Sequence, residues 1–209
     1  MTERNGAPAS DSRLRATRAV FLARGALGGG ALATGVLWLG GRTGRAASAP
    51  SRAQDERILN FALGLEYLQA GFYAHAVERG ALSGELLEFA ETVGEQEREH
   101  VAYLRDRLGP AAREEPEFDF GDLAADADRF PPAAFVLEES GVAAYIGQGA
   151  NLTVEAVRAA APIVAVEARH AAWISDLIGR VPAPRAADAA RTAAQVQAAL
   201  EAAGFTYPG

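Results

Sequence analysis

The chain has 209 residues, of which 49% are hydrophobic, and its 20 basic residues are outnumbered by 27 acidic ones. A chain of this size can bury a hydrophobic core without covalent crosslinks. It contains no Cys, which excludes disulfides, thiolate metal sites and a cysteine nucleophile. The formal net charge of −7 argues against a nucleic-acid partner, because phosphate backbones bind basic surfaces. An acidic chain is instead compatible with binding cations.

Residues 1–48 have the layout of an export signal. A region with four Arg residues precedes the apolar, Gly-rich stretch VFLARGALGGGALATGVLWLGG, and small residues follow it. The run TRAVFL resembles a twin-arginine signal in which Ala19 replaces the second Arg. We therefore expect the protein to be exported, to the periplasm or another extracytoplasmic compartment. The alternative is an uncleaved anchor, although the apolar stretch is short for a membrane span. Contact with a membrane is expected only through this segment.

Residues 49–180 are predicted to form one all-α domain. Ser51 begins a capping-box pattern and a first helix, which Gly80 ends. Ser83 begins a second helix, and the Gly-Pro pair at 109–110 ends it. These signals predict two long helices joined by a short connection.

The segment 109–132 interrupts the helical pattern. It is acidic and Pro-rich, and it is long for a loop within a compact domain. A crossover that runs the length of a helical bundle would explain this length. Pro131 and Pro132 suit the first turn of a third helix, which extends to about Gly147.

A fourth helix is predicted to begin at Asn151 or Thr153 and to end near Gly179. Residues 181–209 form a C-terminal extension that contains one short helix. No part of the sequence has a convincing strand pattern. The predicted fold is an all-α four-helix bundle with one long crossover between helices 2 and 3, plus a short C-terminal helix.

The second and fourth helices place charged residues on their apolar faces. At 100° per residue, Glu97 and His100 lie within the apolar stripe of the second helix. Glu167 and His170 lie within that of the fourth. Each pair reads Glu-x-x-His, so both members are on one face of their helix.

The first and third helices each contribute one further acid to an apolar face. In the first helix this acid is Glu66, although that helix is apolar over a wide arc and Glu66 could instead be a surface acid. In the third helix it is Glu138, and its neighbour Glu139 lies at the edge of the stripe. The helical angle favours Glu138 over Glu139.

Buried charges are costly unless they are paired or bind a metal. Four carboxylates and two imidazoles cannot satisfy one another, because most of their atoms are acceptors and the acids repel. Two divalent cations would resolve this, and oxygen and nitrogen ligands without thiolate suit iron or manganese. The predicted metal ligands are Glu66, Glu97, His100, Glu138, Glu167 and His170.

The spacing of these residues indicates an internal repeat. Glu66 and Glu97 are 31 residues apart, and Glu138 and Glu167 are 29 apart, so each half reads Glu and then Glu-x-x-His. Two such helix hairpins facing each other would form a pseudo-symmetric site for two metals. The alternative for each His is a buried imidazole hydrogen-bonded to the Glu of its own motif.

This pattern resembles the ferritin-like di-iron carboxylate family, in which two helices each supply Glu and two each supply Glu-x-x-His. The stretches ILNFALGLEYLQAGFY, LEESGVAAYIGQ and VEARHAAWI are more closely similar to exported bacterial ferritin-like proteins, some of them desiccation- or stress-related. The resemblance covers about residues 51–180. It implies a ferritin-like bundle that holds two iron ions, or manganese as the alternative.

Several activities are compatible with that resemblance. The first is a ferroxidase or peroxidase-type protein that oxidises Fe(II) with O2 or peroxide under oxidative or desiccation stress. The second is a dimanganese enzyme that resembles a catalase. The third is a non-catalytic, protective bundle with a degenerate or zinc site. No catalytic residue is predicted beyond the metal ligands, and the resemblance is also compatible with a homo-oligomer.

Overall fold

The computed structural model describes residues 49–206, so the predicted export signal at residues 1–48 lies outside the described residues. The described part is all helical and has no strand. Its five α-helices are Arg52–Arg79 (α1), Gly84–Leu108 (α2), Phe130–Gly149 (α3), Val154–Leu177 (α4) and Ala193–Ala202 (α5). Helix α1 packs on α2 and α3 packs on α4, while α1–α3 and α2–α4 contacts join the two hairpins. The predicted bundle with one crossover and a short C-terminal helix is confirmed.

Local signals in the sequence set the helix ends. The Ser51 side chain accepts a hydrogen bond from the backbone N–H of Gln54 at the start of α1. Gly80, with φ 67°, ends that helix in the left-handed conformation that favours glycine. Thr153, rather than Asn151, caps the start of α4.

The crossover between α2 and α3 runs alongside helix α1, in agreement with the predicted crossover that runs the length of the bundle. Asn60 donates a hydrogen bond to the carbonyl of Ala111 at 2.9 Å, and its own side-chain oxygen accepts one from the backbone N–H of Arg113 at 2.8 Å. Further along α1, the Phe120 ring lies close enough to Gly71 that a Cβ atom there would be 3.2 Å from it. The crossover therefore covers the side of α1 that faces away from the bundle.

The C-terminal segment covers part of helix α3. The backbone N–H of Arg191 donates to the carbonyl of Ala143 at 3.0 Å. A Cβ atom at Gly147 would lie only 1.9 Å from the carbonyl oxygen of Arg191, so the two backbones touch. Helix α5 follows, and the Phe205 ring beyond it packs against Phe72 with centroids 5.3 Å apart.

Two hydrophobic clusters divide the core along the helix axes. One contains Phe72, Phe89 and Phe130, and the other contains Leu63 and Leu104. The predicted ligands lie between them on every helix of the bundle, which removes them from water. Within residues 49–206, no helix is long and apolar enough to span a membrane.

Candidate metal centre

The structure brings all six predicted ligand residues together in the core. Their side chains come from four different helices, with one Glu each from α1 and α3 and a Glu-x-x-His pair each from α2 and α4. The four Glu residues are 0% exposed, whereas His170 is 3% exposed and His100 8%. Such burial of acids is rare unless a partner compensates the charge.

The six residues form two overlapping groups, and within each group one ligand atom per residue lies within 4.8 Å of all the others. The His100 group consists of Glu66, Glu97, His100 and Glu167. The His170 group consists of Glu97, Glu138, Glu167 and His170. Glu97 and Glu167 belong to both groups, so they are placed to bridge two cations.

The distances from the carboxylate oxygens to the two His Nδ1 atoms distinguish the acids shared by both groups, Glu97 and Glu167, from the unshared ones. Glu97 presents Oε2 to His100 Nδ1 at 3.1 Å and Oε1 to His170 Nδ1 at 2.9 Å. Glu167 presents a single oxygen, Oε1, to His100 Nδ1 at 3.2 Å and to His170 Nδ1 at 3.9 Å. The unshared acids each approach one imidazole: Glu66 Oε2 is 3.2 Å from His100, and Glu138 Oε2 is 3.4 Å from His170.

Two buried tyrosines fix the unshared acids from the opposite hairpin. The Tyr145 hydroxyl donates to Glu66 Oε1 at 2.5 Å, and the Tyr73 hydroxyl donates to Glu138 Oε1. Burial and the neighbouring carboxylates raise the pKa of both phenols well above the usual value, so they remain donors at neutral pH. Each tyrosine therefore holds Oε1 of one acid, the outer oxygen, and leaves Oε2, the inner oxygen, facing an imidazole of the cluster.

The protein atoms alone leave the cluster electrostatically strained. Burial, with repulsion from neighbouring acids, raises the pKa of Glu97 well above its usual range and that of Glu167 to about 7. Burial alone would lower the pKa of His100, but the neighbouring carboxylates of Glu167, Glu66 and Glu97 raise it to about 12. Protons therefore partly neutralise the acids when no cation does, and binding a cation would displace these protons.

The donor set fits two divalent cations. Glu97 Oε1, Glu138 Oε2 and Glu167 Oε1 lie 2.9, 3.4 and 3.9 Å from His170 Nδ1, yet these four buried atoms form no aligned hydrogen bond. Buried polar atoms are nearly always satisfied in folded proteins, so four such atoms close together indicate a site for a cation. Oxygen and imidazole donors without sulfur match iron, manganese or zinc.

Comparison with known proteins agrees with this fold. A family model described as the ferritin-like domain matches residues 54–180, which contain all six cluster residues. The chain belongs to the ferritin-like domain family. A search of curated proteins finds no match to the sequence. The resemblance stated from the sequence is therefore confirmed at the level of the ferritin-like domain, while export and a link to desiccation stay predictions.

Within this ferritin-like domain, Glu138 and Glu139 have different environments. Glu138 is fully buried in the cluster. Glu139 is half-buried and lies 3.9 Å from the guanidinium of Arg185, outside both groups. The helical angle thus favoured the acid that lies in the buried cluster, and Glu138 as a metal ligand stays a prediction.

The sequence analysis missed two glutamines that contact the cluster of this ferritin-like domain. Gln69 Nε2 lies 3.2 Å from Glu138 Oε1 and 3.2 Å from Glu167 Oε2. Gln96 Oε1 lies 2.7 Å from His170 Nε2. The available signal for Gln69 was its position, because it is a polar residue three positions after Glu66 on a mostly buried helix. Gln96 had no comparable signal, because it is a half-buried residue at the edge of the apolar stripe of α2, next to the exposed Glu95.

Proposed function

We propose that this chain holds two iron ions in its bundle core and uses them to oxidise Fe(II) with O2 or peroxide. The observation that supports this proposal is the pair of four-residue groups that share Glu97 and Glu167 in a water-excluded core. Glu97 and Glu167, which belong to both groups, would each contribute to both ions, and Glu66 and Glu138 would each contribute to one. His100 and His170 would supply one nitrogen each.

Bound iron would supply one-electron redox chemistry, because each Fe(II) can give one electron to the oxidant. The protein's own residues would bind the ions, orient the carboxylates and shield the centre from water. Tyr73 and Tyr145 hold the outer carboxylate oxygens through hydrogen bonds, and their raised pKa keeps both hydroxyls protonated at neutral pH. The two hydrophobic clusters on either side keep bulk water away, which strengthens every electrostatic interaction within the centre.

The proposed setting is outside the cytoplasm. The basic, apolar and small-residue layout of residues 1–48 supports export, and the acidic charge of the chain suits a protein that attracts cations. In that setting the reaction would remove free Fe(II) or peroxide under oxidative or desiccation stress. Fractionation of the native cells, with an antibody against the chain, tests this part of the proposal separately from metal binding.

The test of metal binding is the metal content of the full-length chain by inductively coupled plasma mass spectrometry. We expect about two iron ions per chain after anaerobic Fe(II) loading and desalting, and far less in a His100→Ala/His170→Ala variant. The chain has one other His, and His75→Ala is therefore a matched control. His75 lies outside both groups and accepts a hydrogen bond from Arg79 at 3.0 Å.

The result also separates the alternatives. Iron content together with rapid Fe(II) oxidation on addition of O2 or peroxide supports the proposal. Manganese in protein from unsupplemented medium, with O2 release from peroxide, would favour a dimanganese enzyme, for which the same hard donor set is suitable. Equal metal content in wild type and the double His variant would refute the site and leave a protective helical bundle.

A further inference from the structure

The two hairpins repeat each other residue by residue around the centre. Glu66 corresponds to Glu138, and in both helices a tyrosine follows seven residues later, at Tyr73 and Tyr145. Each tyrosine donates a hydrogen bond to the acid of the other hairpin, Tyr73 to Glu138 and Tyr145 to Glu66. A strict repeat would give two equivalent metal positions, so any departure from it identifies a difference between them.

The first departure is at the third residue after each unshared acid. On α1 this residue is Gln69, whose amide nitrogen contacts Glu138 and Glu167 at 3.2 Å each. On α3 it is Gly141, where a Cβ atom would lie 2.5 Å from Glu167 Oε2 and 3.4 Å from Gln69 Nε2. Gly141 has no side chain, so the amide contact exists only once, and it is made to the Glu138 side of the centre.

The second departure is at the residue before each shared acid. On α2 this residue is Gln96, whose side-chain oxygen accepts from His170 Nε2 at 2.7 Å. On α4 the corresponding residue is Val166, which has no polar atom to offer His100. A hydrogen bond on the far nitrogen fixes both the ring orientation and the tautomer of a metal-binding His. It also directs Nδ1 of His170 towards the cluster.

The two glutamines contact three of the four members of the His170 group, Glu138 and Glu167 through Gln69 and His170 through Gln96. The buried atoms without a hydrogen-bond partner at the centre are Glu97 Oε1, Glu138 Oε2, Glu167 Oε1 and His170 Nδ1, which is one atom from each member of the His170 group. His170 Nδ1 lies 2.9 Å from Glu97 Oε1 but is not aligned with it for a hydrogen bond. In the His100 group, by contrast, His100 Nδ1 is hydrogen-bonded to Glu66 at 3.2 Å and to Glu97 at 3.1 Å. A cation at the His100 group must first replace these bonds.

We propose that the two metal positions are inequivalent, and that Gln69 and Gln96 are the positioning residues that make the His170 group the tighter one. The first ion enters the His170 group and stays there, because its ligands are already fixed for binding and lose little freedom. The second position, at the His100 group, exchanges its ion. His100 is also the more exposed imidazole, at 8% against 3% for His170, which places the exchanging ion nearer to solvent. This inference rests on the metal binding proposed above.

Such a division gives the two positions different tasks. An ion held at the His170 group would keep Glu97 and Glu167 in place. The His100 group could then take up and release a cation without disturbing these two acids. The inference thus assigns cation exchange to one side of the centre.

The test is an anaerobic titration of the full-length chain with Mn(II), in which electron paramagnetic resonance measures free Mn(II). We expect two binding steps in wild type, the first at least about tenfold tighter than the second, since outer hydrogen-bond partners typically change metal affinity by about 10–100-fold. Gln96→Leu should weaken the tight step by that factor and leave the weak step nearly unchanged. Gln69→Leu should weaken the tight step more than the weak one, because Gln69 contacts the unshared Glu138 as well as the shared Glu167. Gln96→Glu keeps an acceptor for His170 Nε2 and should retain the tight step.

The controls distinguish positioning from general damage. Gln148→Leu removes a glutamine of α3 whose side chain bonds Asn151 at the helix end, and it should alter neither step. Gln69 is buried, so Gln69→Leu can lower stability, but Gln96 is only half-buried and provides the second variant. Two equal steps in wild type, or equal weakening of both steps in the Gln96→Leu variant, would overturn the inference alone. Absence of Mn(II) binding by wild type would count against the metal centre itself.

Discussion

The four bundle helices fall into two kinds, covered and open. On α1 and α3, runs of six consecutive residues are buried, at 65–70 and 140–145, because the crossover lies on α1 and the C-terminal segment lies on α3. On α2 and α4, buried residues recur every three or four positions and the opposite face is exposed. The open helices supply the shared acids and the imidazoles, whereas each covered helix supplies one unshared acid and one tyrosine. The residues that serve both metal positions are thus on the helices with one buried stripe.

The largest expected effect follows from this division of ligands. Replacing a shared acid by Glu97→Gln weakens both groups, so metal content should fall from about two ions per chain to well below one. Replacing an unshared acid by Glu66→Gln weakens only the His100 group and should leave about one ion. Mass spectrometric metal analysis after anaerobic loading and desalting measures both values.

Glu99→Gln is the matched control for this comparison, since Glu99 is an exposed acid on the same helix as Glu97. Its metal content should equal that of wild type. The division into shared and unshared acids is wrong if Glu66→Gln and Glu97→Gln lose the same number of ions.

The same division explains how much of the site could be predicted from sequence. An open helix has one apolar stripe, so Glu97, His100, Glu167 and His170 were conspicuous as polar residues within it. A covered helix is apolar over most of its circumference, so its periodicity carries little information about which side faces the bundle. For this reason a surface position for Glu66 stayed open.

The features that the sequence did not predict are contacts between distant segments. The helix ends and the crossover follow from local signals such as Ser51, Gly80 and the Pro-rich segment. Gln96, by contrast, acquires its role only because α4 places His170 beside it. The backbone contact at Gly147 likewise depends on where the C-terminal segment returns, which no helical period encodes.

The covering segments give a second, smaller expected effect. Gly147→Ala would place a Cβ atom 1.9 Å from the Arg191 carbonyl oxygen, and a backbone atom cannot rotate away as a side chain can. We expect it to lower the free energy of unfolding by about 3 kcal/mol, at the upper end of the usual overpacking range. Gly71→Ala on α1 meets only side-chain atoms, the Phe120 ring at 3.2 Å and the Phe118 ring at 3.7 Å, and should cost about 1 kcal/mol.

Chemical denaturation followed by circular dichroism measures both variants. Gly149→Ala is the control, because no atom lies within 4 Å of a Cβ built there and it is on the same helix as Gly147. It should leave stability nearly unchanged. If Gly147→Ala is as stable as Gly149→Ala, the C-terminal segment does not pack on α3 in solution.

The smallest expected effect compares the tyrosines of the two covered helices. Glu138 Oε1 accepts from both Tyr73 and Gln69, whereas Glu66 Oε1 accepts from Tyr145 alone. Tyr145→Phe therefore leaves a buried carboxylate oxygen without a donor, and it should weaken metal binding at the His100 group by about tenfold. Tyr73→Phe should weaken the His170 group by less, because Gln69 remains. The Mn(II) titration measures each step separately, and a larger loss in Tyr73→Phe than in Tyr145→Phe would show that Gln69 does not compensate for the missing hydroxyl.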